Sequence, residues 1–350
     1  MADESHPTHL SPSELGTKDY WETFYARTLS HISSKPNPSS TAPPQQQSPP
    51  SHDDEDDDDE EDEIDDDDDP GTSWFSEHNA PDKVLQFLTA EDFPLAPCNT
   101  LAPTPSADDA KPSPQQPSIL DLGTGNGSML ALLRKRGGFA GVMVGVDYSP
   151  RSVELARELQ RLKIHSAYLS DSEDDNGDDG DDDDDNDNDN NVPKGSAGVD
   201  PDIRFEEWDI LHSTDALTDA TMSSADRGLD WFPYTQGGFD IVLDKGTFDA
   251  VSLSDEVVGS GDTGATTART VQRRVCETYP GVVRRLVRKG GFVVVTSCNW
   301  TEEELIRWFT SLEGEEEKDR LVVWGRVEYP RFRFGGKEGQ GVCTVCFQRV

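Results

Sequence analysis

The run Asp121-Leu-Gly-Thr-Gly-Asn-Gly127 joins a short apolar stretch to an amphipathic one. Ile119–Leu122 reads as a buried strand and Ser128–Lys135 as a helix, so the run is a strand-to-helix turn. Alternating glycines let backbone come close to a ligand and take positive φ at little steric cost. An acidic residue followed by such a turn, in this context, points to a nucleoside-type cofactor. A dinucleotide fingerprint, G-x-G-x-x-G, requires glycine or alanine where Ser128 stands. Here the third glycine falls one position early, at Gly127, and the preceding Asp121 does not belong to that fingerprint.

Further along, Val142–Val146 is a continuous apolar run, the mark of a strand covered on both faces. Ser149 caps a helix that has Pro150 at its first position and runs to about Leu162. Ile203–Trp208, Phe239–Leu243 and Phe292–Thr296 read as strands. Thr270–Arg288 is largely helical, with a kink or split expected at Pro280. Thr301–Leu312 is a helix opened by the capping pattern T-E-E-E. Strands alternating with helices imply an α/β fold with a doubly wound, mostly parallel sheet. The last two strands, Leu321–Tyr329 and Val342–Phe347, have no helix between them and imply an antiparallel hairpin at one edge. That hairpin separates a methyltransferase-type sheet of seven strands from a dinucleotide-binding dehydrogenase.

Outside this core, Leu15–Ile32 carries Tyr20, Trp21, Phe24, Tyr25 and Leu29 on one helical stripe, and Asp82–Leu88 looks like a short helix. The expected organisation is a helical segment over 1–32, a disordered linker over 33–70, and one domain over 71–350. That domain carries disordered insertions at about 93–117 and 171–200. Two runs, Asp53 to Asp69 and Asp171 to Asn191, hold 16 and 13 acidic residues and no Lys or Arg, so they account for all but −10 of the net charge of −39. Such a chain lacks the concentrated basic face that nucleic-acid phosphates require, and a basic protein is the easier partner. No apolar run approaches the roughly 20 residues that span a bilayer, and the N-terminus has no apolar secretory core. A cytoplasmic monomer is the expectation. The five scattered cysteines suggest no disulfide framework, and Cys343 and Cys346 lie three apart in a strand, on opposite faces, so no metal site is assigned.

The remaining chemistry collects at strand ends. Asp147, at the end of the second strand and followed by Tyr148, can accept hydrogen bonds from both hydroxyls of a ribose. Asp209 and Ile210 end the third strand, and the fourth runs into Asp244-Lys-Gly-Thr-Phe248-Asp249. Ser297-Cys-Asn299-Trp300 follows the fifth strand. The turn Asp121, Gly123, Thr124, Gly125, Asn126 and Gly127 resembles motif I of class I S-adenosylmethionine-dependent methyltransferases, where the run holds the methionine part of the cofactor. Asp209, in that resemblance, contacts the adenine amine. The D-K-G-T segment stands where adenine- and amide-directed enzymes carry an N-P-P-Y type motif, which makes those substrates a poor match. With Leu15-Gly-Thr-Lys-Asp-Tyr-Trp21, Trp74-Phe75-Ser-Glu77, Ser297–Thr301 and Phe334-Gly-Gly-Lys-Glu-Gly, the chain resembles the lysine methyltransferases of translation elongation factor 1-alpha.

The resemblance implies transfer of a methyl group from S-adenosyl-L-methionine to a lysine ε-amine. Asp244 is then expected to capture the substrate lysine, with Phe248, Asn299 and Trp300 beside it and Trp74 and Phe75 walling a channel. Each of those aromatics serves equally well as core packing. Two other readings stand beside this one: a methyltransferase for another protein or a small molecule, and a non-catalytic cofactor-binding scaffold.

Overall fold

The computed structural model describes residues 6–34, 75, 78–100, 116–169, 203–217, 228–258, 273–311, 319–334 and 337–350. Both acidic runs and Trp74 lie outside the described residues.

Largely apolar segments build the centre of the sheet. Its order is β3-β2-β1-β4-β5-β9-β6, with β1 (Ile119–Leu122), β2 (Met143–Asp147), β3 (Arg204–Glu207), β4 (Phe239–Lys245), β5 (Val287–Ser297), β6 (Leu321–Val327) and β9 (Cys343–Arg349). β1 to β5 pair in parallel, whereas β9 runs antiparallel to both β5 and β6. This is the expected seven-stranded α/β sheet, parallel except for its antiparallel edge. The final strand lies inside the edge hairpin and β6 forms the edge. Between them a separate small ribbon pairs β7 (Arg331–Phe334) with β8 (Lys337–Gln340).

Two apolar layers sandwich the sheet. One face packs on α6 (Thr247–Ser252), α7 (Val275–Leu286) and α8 (Glu302–Thr310) through Phe248, Tyr279, Trp308 and Phe309. The other packs on α1 (Lys18–Ser34), α2 (Ala80–Thr89), α4 (Ser128–Lys135) and α5 (Pro150–Leu162) through Tyr25, Leu88, Leu130 and Leu159. Local signals set the helix starts. The Ser149 side chain accepts from the Ser152 N–H at 3.1 Å, ahead of Pro150. Thr301 and Glu304 exchange the two bonds of a capping box, at 3.3 and 3.0 Å.

Two expectations need correction. Pro280 does not split the helix: α7 runs unbroken over Val275–Leu286 with Pro280 inside it. Residues 93–100 are not part of a linker. Phe93 and Ala96 are fully buried, Phe93 packs on Phe292 and Trp324, and α3 (Pro97–Thr100) closes the segment. Asn99 Nδ2 donates to the Glu91 and Phe93 carbonyls at 3.0 and 2.8 Å, so these two backbone oxygens of the turn are satisfied. Cys343 and Cys346 pack into opposite layers, as strand alternation requires. No helix among the described residues is long and apolar enough to cross a membrane.

Candidate active site

The order of strands reverses between β1 and β4, where connections leave toward opposite edges and a crevice opens at the carboxyl ends. A cavity of about 600 Å³ fills that crevice. Its size suits a nucleoside-sized ligand.

The glycine turn forms one wall. Gly123, Gly125 and Gly127 all take positive φ, between +57° and +74°. A Cβ at Gly123 would sit 2.2 Å from Thr247 Oγ1, and one at Gly127 would sit 2.6 Å from the Phe205 ring, so side chains are excluded by space as well as by conformation. Gly127 itself backs onto Phe205 and Tyr168 and does not line the cavity. Asp121, Gly123, Thr124, Gly125 and Asn126 do.

Asp147 stands across the turn at the end of β2. Its carboxylate accepts from the Gly125 N–H at 3.1 Å, the Ser152 hydroxyl at 2.7 Å and the Ser149 N–H at 2.9 Å. Burial pushes its pKa up while these donors pull it down. The residue therefore locks the turn to α5 while keeping one edge on the cavity. Asp121 accepts from Thr124 Oγ1 at 2.9 Å, and burial raises its pKa to about 6. Tyr148, Asp209, Ile210 and Phe75 complete the sequence-derived residues on the cavity wall. Asp209 Oδ1 accepts from the Leu211 and His212 N–H groups, and Oδ2 meets His212 Nδ1 at 2.9 Å. His212 Nε2 in turn lies 2.6 Å from Glu256, and the hydrogen bond to Asp209 foremost raises the imidazole pKa.

Besides Gly127, four expected residues lie off the cavity. Asp244, 1% exposed, turns to the opposite face of β4 and does not line the cavity. Its carboxylate accepts from the Thr247 and Phe248 N–H groups at 3.0 and 3.1 Å and from the Tyr279 hydroxyl at 2.8 Å. Burial drives its pKa up to about 7. Phe248 stacks with Tyr279 and Trp300 in the core, with centroids 5.6 and 6.2 Å apart. Trp300 donates from Nε1 to Ser252 Oγ at 3.2 Å, and the exposed Asn299 lies off the cavity. Asp249 accepts from Ser297 Oγ and the Cys298 N–H at 2.5 and 2.8 Å, which ties the loop after β5 to α6. Direct capture of substrate by Asp244, and channel walls from Phe248 and Trp300, are thus corrected to a supporting block beneath the cavity floor. For Asp244, in β4, strand alternation is the cause.

Residues to which the sequence analysis gave no role at the site line the cavity as well. Lys245, the next residue of β4, points to the cavity face. Its ammonium lies 5.4 Å from the centre of the Phe75 ring, and burial lowers its pKa against the pull of Asp121 and Asp244. Lys18, Trp21 and Tyr25 reach the cavity from α1. The helix is held there by Tyr148 Oη donating to the Thr17 carbonyl at 3.3 Å and Lys18 Nζ lying 5.6 Å from the Tyr148 ring centre. Trp208 also lines the cavity, and its buried Nε1 finds no partner among the described residues. The aromatic stripe of α1 was visible in the sequence; its destination was not.

A family model described as a methyltransferase domain matches residues 115–173. Protein-lysine N-methyltransferase EFM4 of Saccharomyces cerevisiae is 30% identical over 339 residues, which cover 97% of this chain and 96% of that protein. EEF1A lysine methyltransferase 2 of Homo sapiens is 25% identical, covering 97% of this chain and 88% of that one. Protein-lysine N-methyltransferase efm4 of Schizosaccharomyces pombe is 26% identical, covering 97% and 95%.

Proposed function

Since the chain belongs to the protein-lysine N-methyltransferase family that includes EFM4, we propose that it transfers methyl groups from S-adenosyl-L-methionine to a lysine ε-amine of translation elongation factor 1-alpha. The observation that carries this is the glycine turn, Asp147 and Asp209 converging on one cavity in a chain alike to those enzymes over nearly its whole length.

The cavity fits the cofactor in size and in donor set. The Asp147 carboxylate would accept the ribose hydroxyls with the lone pairs its internal bonds leave over. Asp121 would hold the ammonium of the amino-acid end, beside the backbone of Gly123 to Asn126. Asp209, Ile210 and Trp208 would enclose the base, and Tyr148 would cover the sugar. When bound, the cofactor supplies a methyl group already activated on a sulfonium, so the protein must provide in-line orientation and a neutral amine, not a strong acid or base.

The chain's own residues do the rest. Asp209, Asp255 and Glu256 line the cavity with negative charge that favours approach of a cationic lysine. Phe75 and Trp21 offer apolar walls, where desolvation favours the neutral amine, and the lysine proton leaves to water. Asp244 acts at one remove: it holds the first turn of α6 and so positions Lys245, Gly246 and Thr247 on the cavity face. This reading places the enzyme in the cytoplasm as a monomer that acts on protein, with no nucleic acid or membrane partner. A net charge of −39 favours a basic protein surface over a phosphate backbone.

The test is mass spectrometry on purified elongation factor 1-alpha treated with the protein and isotopically labelled S-adenosylmethionine. Methylation of a single lysine is expected. Label on glutamine, arginine or an α-amine, or on other proteins of an extract but not on the factor, would overturn the assignment.

A further inference from the structure

We propose that His6, His9 and Glu277 form a zinc site that pins the N-terminal strap to the catalytic domain. His6 and His9 belong to the strap that precedes α1, and Glu277 stands in the first turn of α7. The two imidazoles stack with centroids 4.7 Å apart, and His6 stacks on Trp308 of α8 at 4.9 Å. Both aim Nε2 at one carboxylate. His9 Nε2 is 3.2 Å from Glu277 Oε1, and His6 Nε2 is 4.0 Å from Oε2. One ligand atom from each residue lies within 4.8 Å of the others.

Two independent details mark the group as ligands and not as packing. His6 Nδ1 is 2.8 Å from the Pro7 carbonyl, which can only accept, so Nδ1 carries the proton. That leaves Nε2 turned toward the Glu277 carboxylate, where its lone pair can share a cation with it. Histidines that bind metals commonly give their other N–H to a backbone carbonyl in this way. The second detail is His9 Nε2, which is buried and makes no hydrogen bond of ordinary geometry among the described residues.

Zinc binds nitrogen and oxygen at about 2.0–2.2 Å, so neighbouring ligand atoms of a tetrahedral site lie roughly 3.3 Å apart. The separations of 3.2 and 4.0 Å are near that, and side-chain movement in the strap can close the rest. Water would take the fourth position. Glu277 is oriented by the Arg274 N–H, which it accepts at 2.9 Å. The Arg274 guanidinium, the nearest competing cation, is directed at the carbonyls of Leu10, Ser252 and Ser254.

The consequence reaches the cavity along the chain. From His9 the strap is tied by the Leu10 carbonyl to Arg274 at 2.7 Å and by the Ser13 N–H to the Leu253 carbonyl at 3.1 Å. It then enters α1, whose Lys18, Trp21 and Tyr25 line the cavity. An ion at its far end stiffens that cover.

The experiment uses untagged, EDTA-treated full-length protein, with Co²⁺ as a spectroscopic stand-in for Zn²⁺ and excess Mg²⁺ to occupy the acidic runs. Wild type is compared with His6→Phe, which keeps the ring stack on Trp308, and with Glu277→Gln, which keeps an acceptor for the Arg274 N–H. The expected result is one ion per chain with visible bands of a tetrahedral, nitrogen-ligated site, displaced by Zn²⁺. Affinity should fall at least 100-fold in both variants, and Zn²⁺ should raise the melting temperature of wild type alone. Binding of equal strength in wild type and His6→Phe, or no tetrahedral bands, would overturn the site. A wild type whose melting temperature responds to pH but not to Zn²⁺ would show that protonated histidines pair with Glu277 instead, and would overturn it equally.

Discussion

The two sides of β4 at its carboxyl end offer similar chemistry put to different use. On one side Asp121 and Lys245 face a cavity walled by Trp21, Tyr25 and Phe75. On the other, Asp244 and Asp249 lie among Phe248, Tyr279, Trp300 and Trp308 in the core. Both sides combine carboxylates with aromatic rings, and the residues are neighbours in sequence. What distinguishes them is the direction each side chain faces. Asp244 and Asp249 spend their lone pairs on internal donors, which builds a rigid block. The cavity side turns Asp121 and Lys245 toward the cavity. A motif residue at the reactive end of a sheet can thus serve by holding the wall and not by touching what binds.

The largest expected effect tests the cavity wall. Gly127→Ala forces a left-handed alanine and drives a Cβ to 2.6 Å from the Phe205 ring. Left-handed backbone costs about 1–2 kcal/mol and overpacking about 1–3 kcal/mol, so a stability loss of about 3 kcal/mol is expected. Urea unfolding would register it, and calorimetry should find S-adenosylmethionine binding lost with it. Near-normal stability would mean that the turn is not the tightly packed element described.

Next comes a pair of substitutions that sets the two sides against each other. Asp244→Ala strands the Tyr279 hydroxyl and two N–H groups in the core, a loss of about 2–3 kcal/mol in stability. Lys245→Met should cost within about 1 kcal/mol, because the side chain is half-buried and keeps its apolar stem. Its methyl transfer should nonetheless fall more than tenfold. Thermal unfolding and turnover on both variants decide the matter. An Asp244→Ala protein with wild-type stability and only turnover lost would return Asp244 to the substrate side.

The smallest effect is a pH dependence. Burial raises the Asp244 pKa to about 7 from its ordinary 3.8, so the folded chain holds this proton more tightly than the unfolded one. Its contribution to stability therefore falls as pH rises from about 4 to about 7 and is level above that. Asp121, raised to about 6, acts in the same sense over a narrower window. Asp244→Asn keeps an acceptor for the two N–H groups and removes the titration. Its melting temperature should gain on that of wild type between pH 5 and 7.5. A constant difference across that range would show that Asp244 does not titrate there.

Interactions within a few residues of one another were legible without coordinates. The glycine turn, the Ser149 and Thr301 caps, the apolar strands and the closing antiparallel pair follow from local sterics and period, and all are present. So were the residues that reach the cavity from strand ends, Asp121, Asp147 and Asp209. Period two also says that Asp244 and Lys245 face opposite ways, but not which of them meets the cavity. That depends on which layer of helices covers each face, a matter of burying the Phe248 and Tyr279 rings against α8. The packing of Phe93 against Phe292, the seating of α1 over the crevice and the meeting of His6 and His9 with Glu277 are likewise tertiary. Each joins segments far apart in the chain, and such contacts are selected by the apolar area the whole domain can bury, a quantity that no window of neighbouring residues contains.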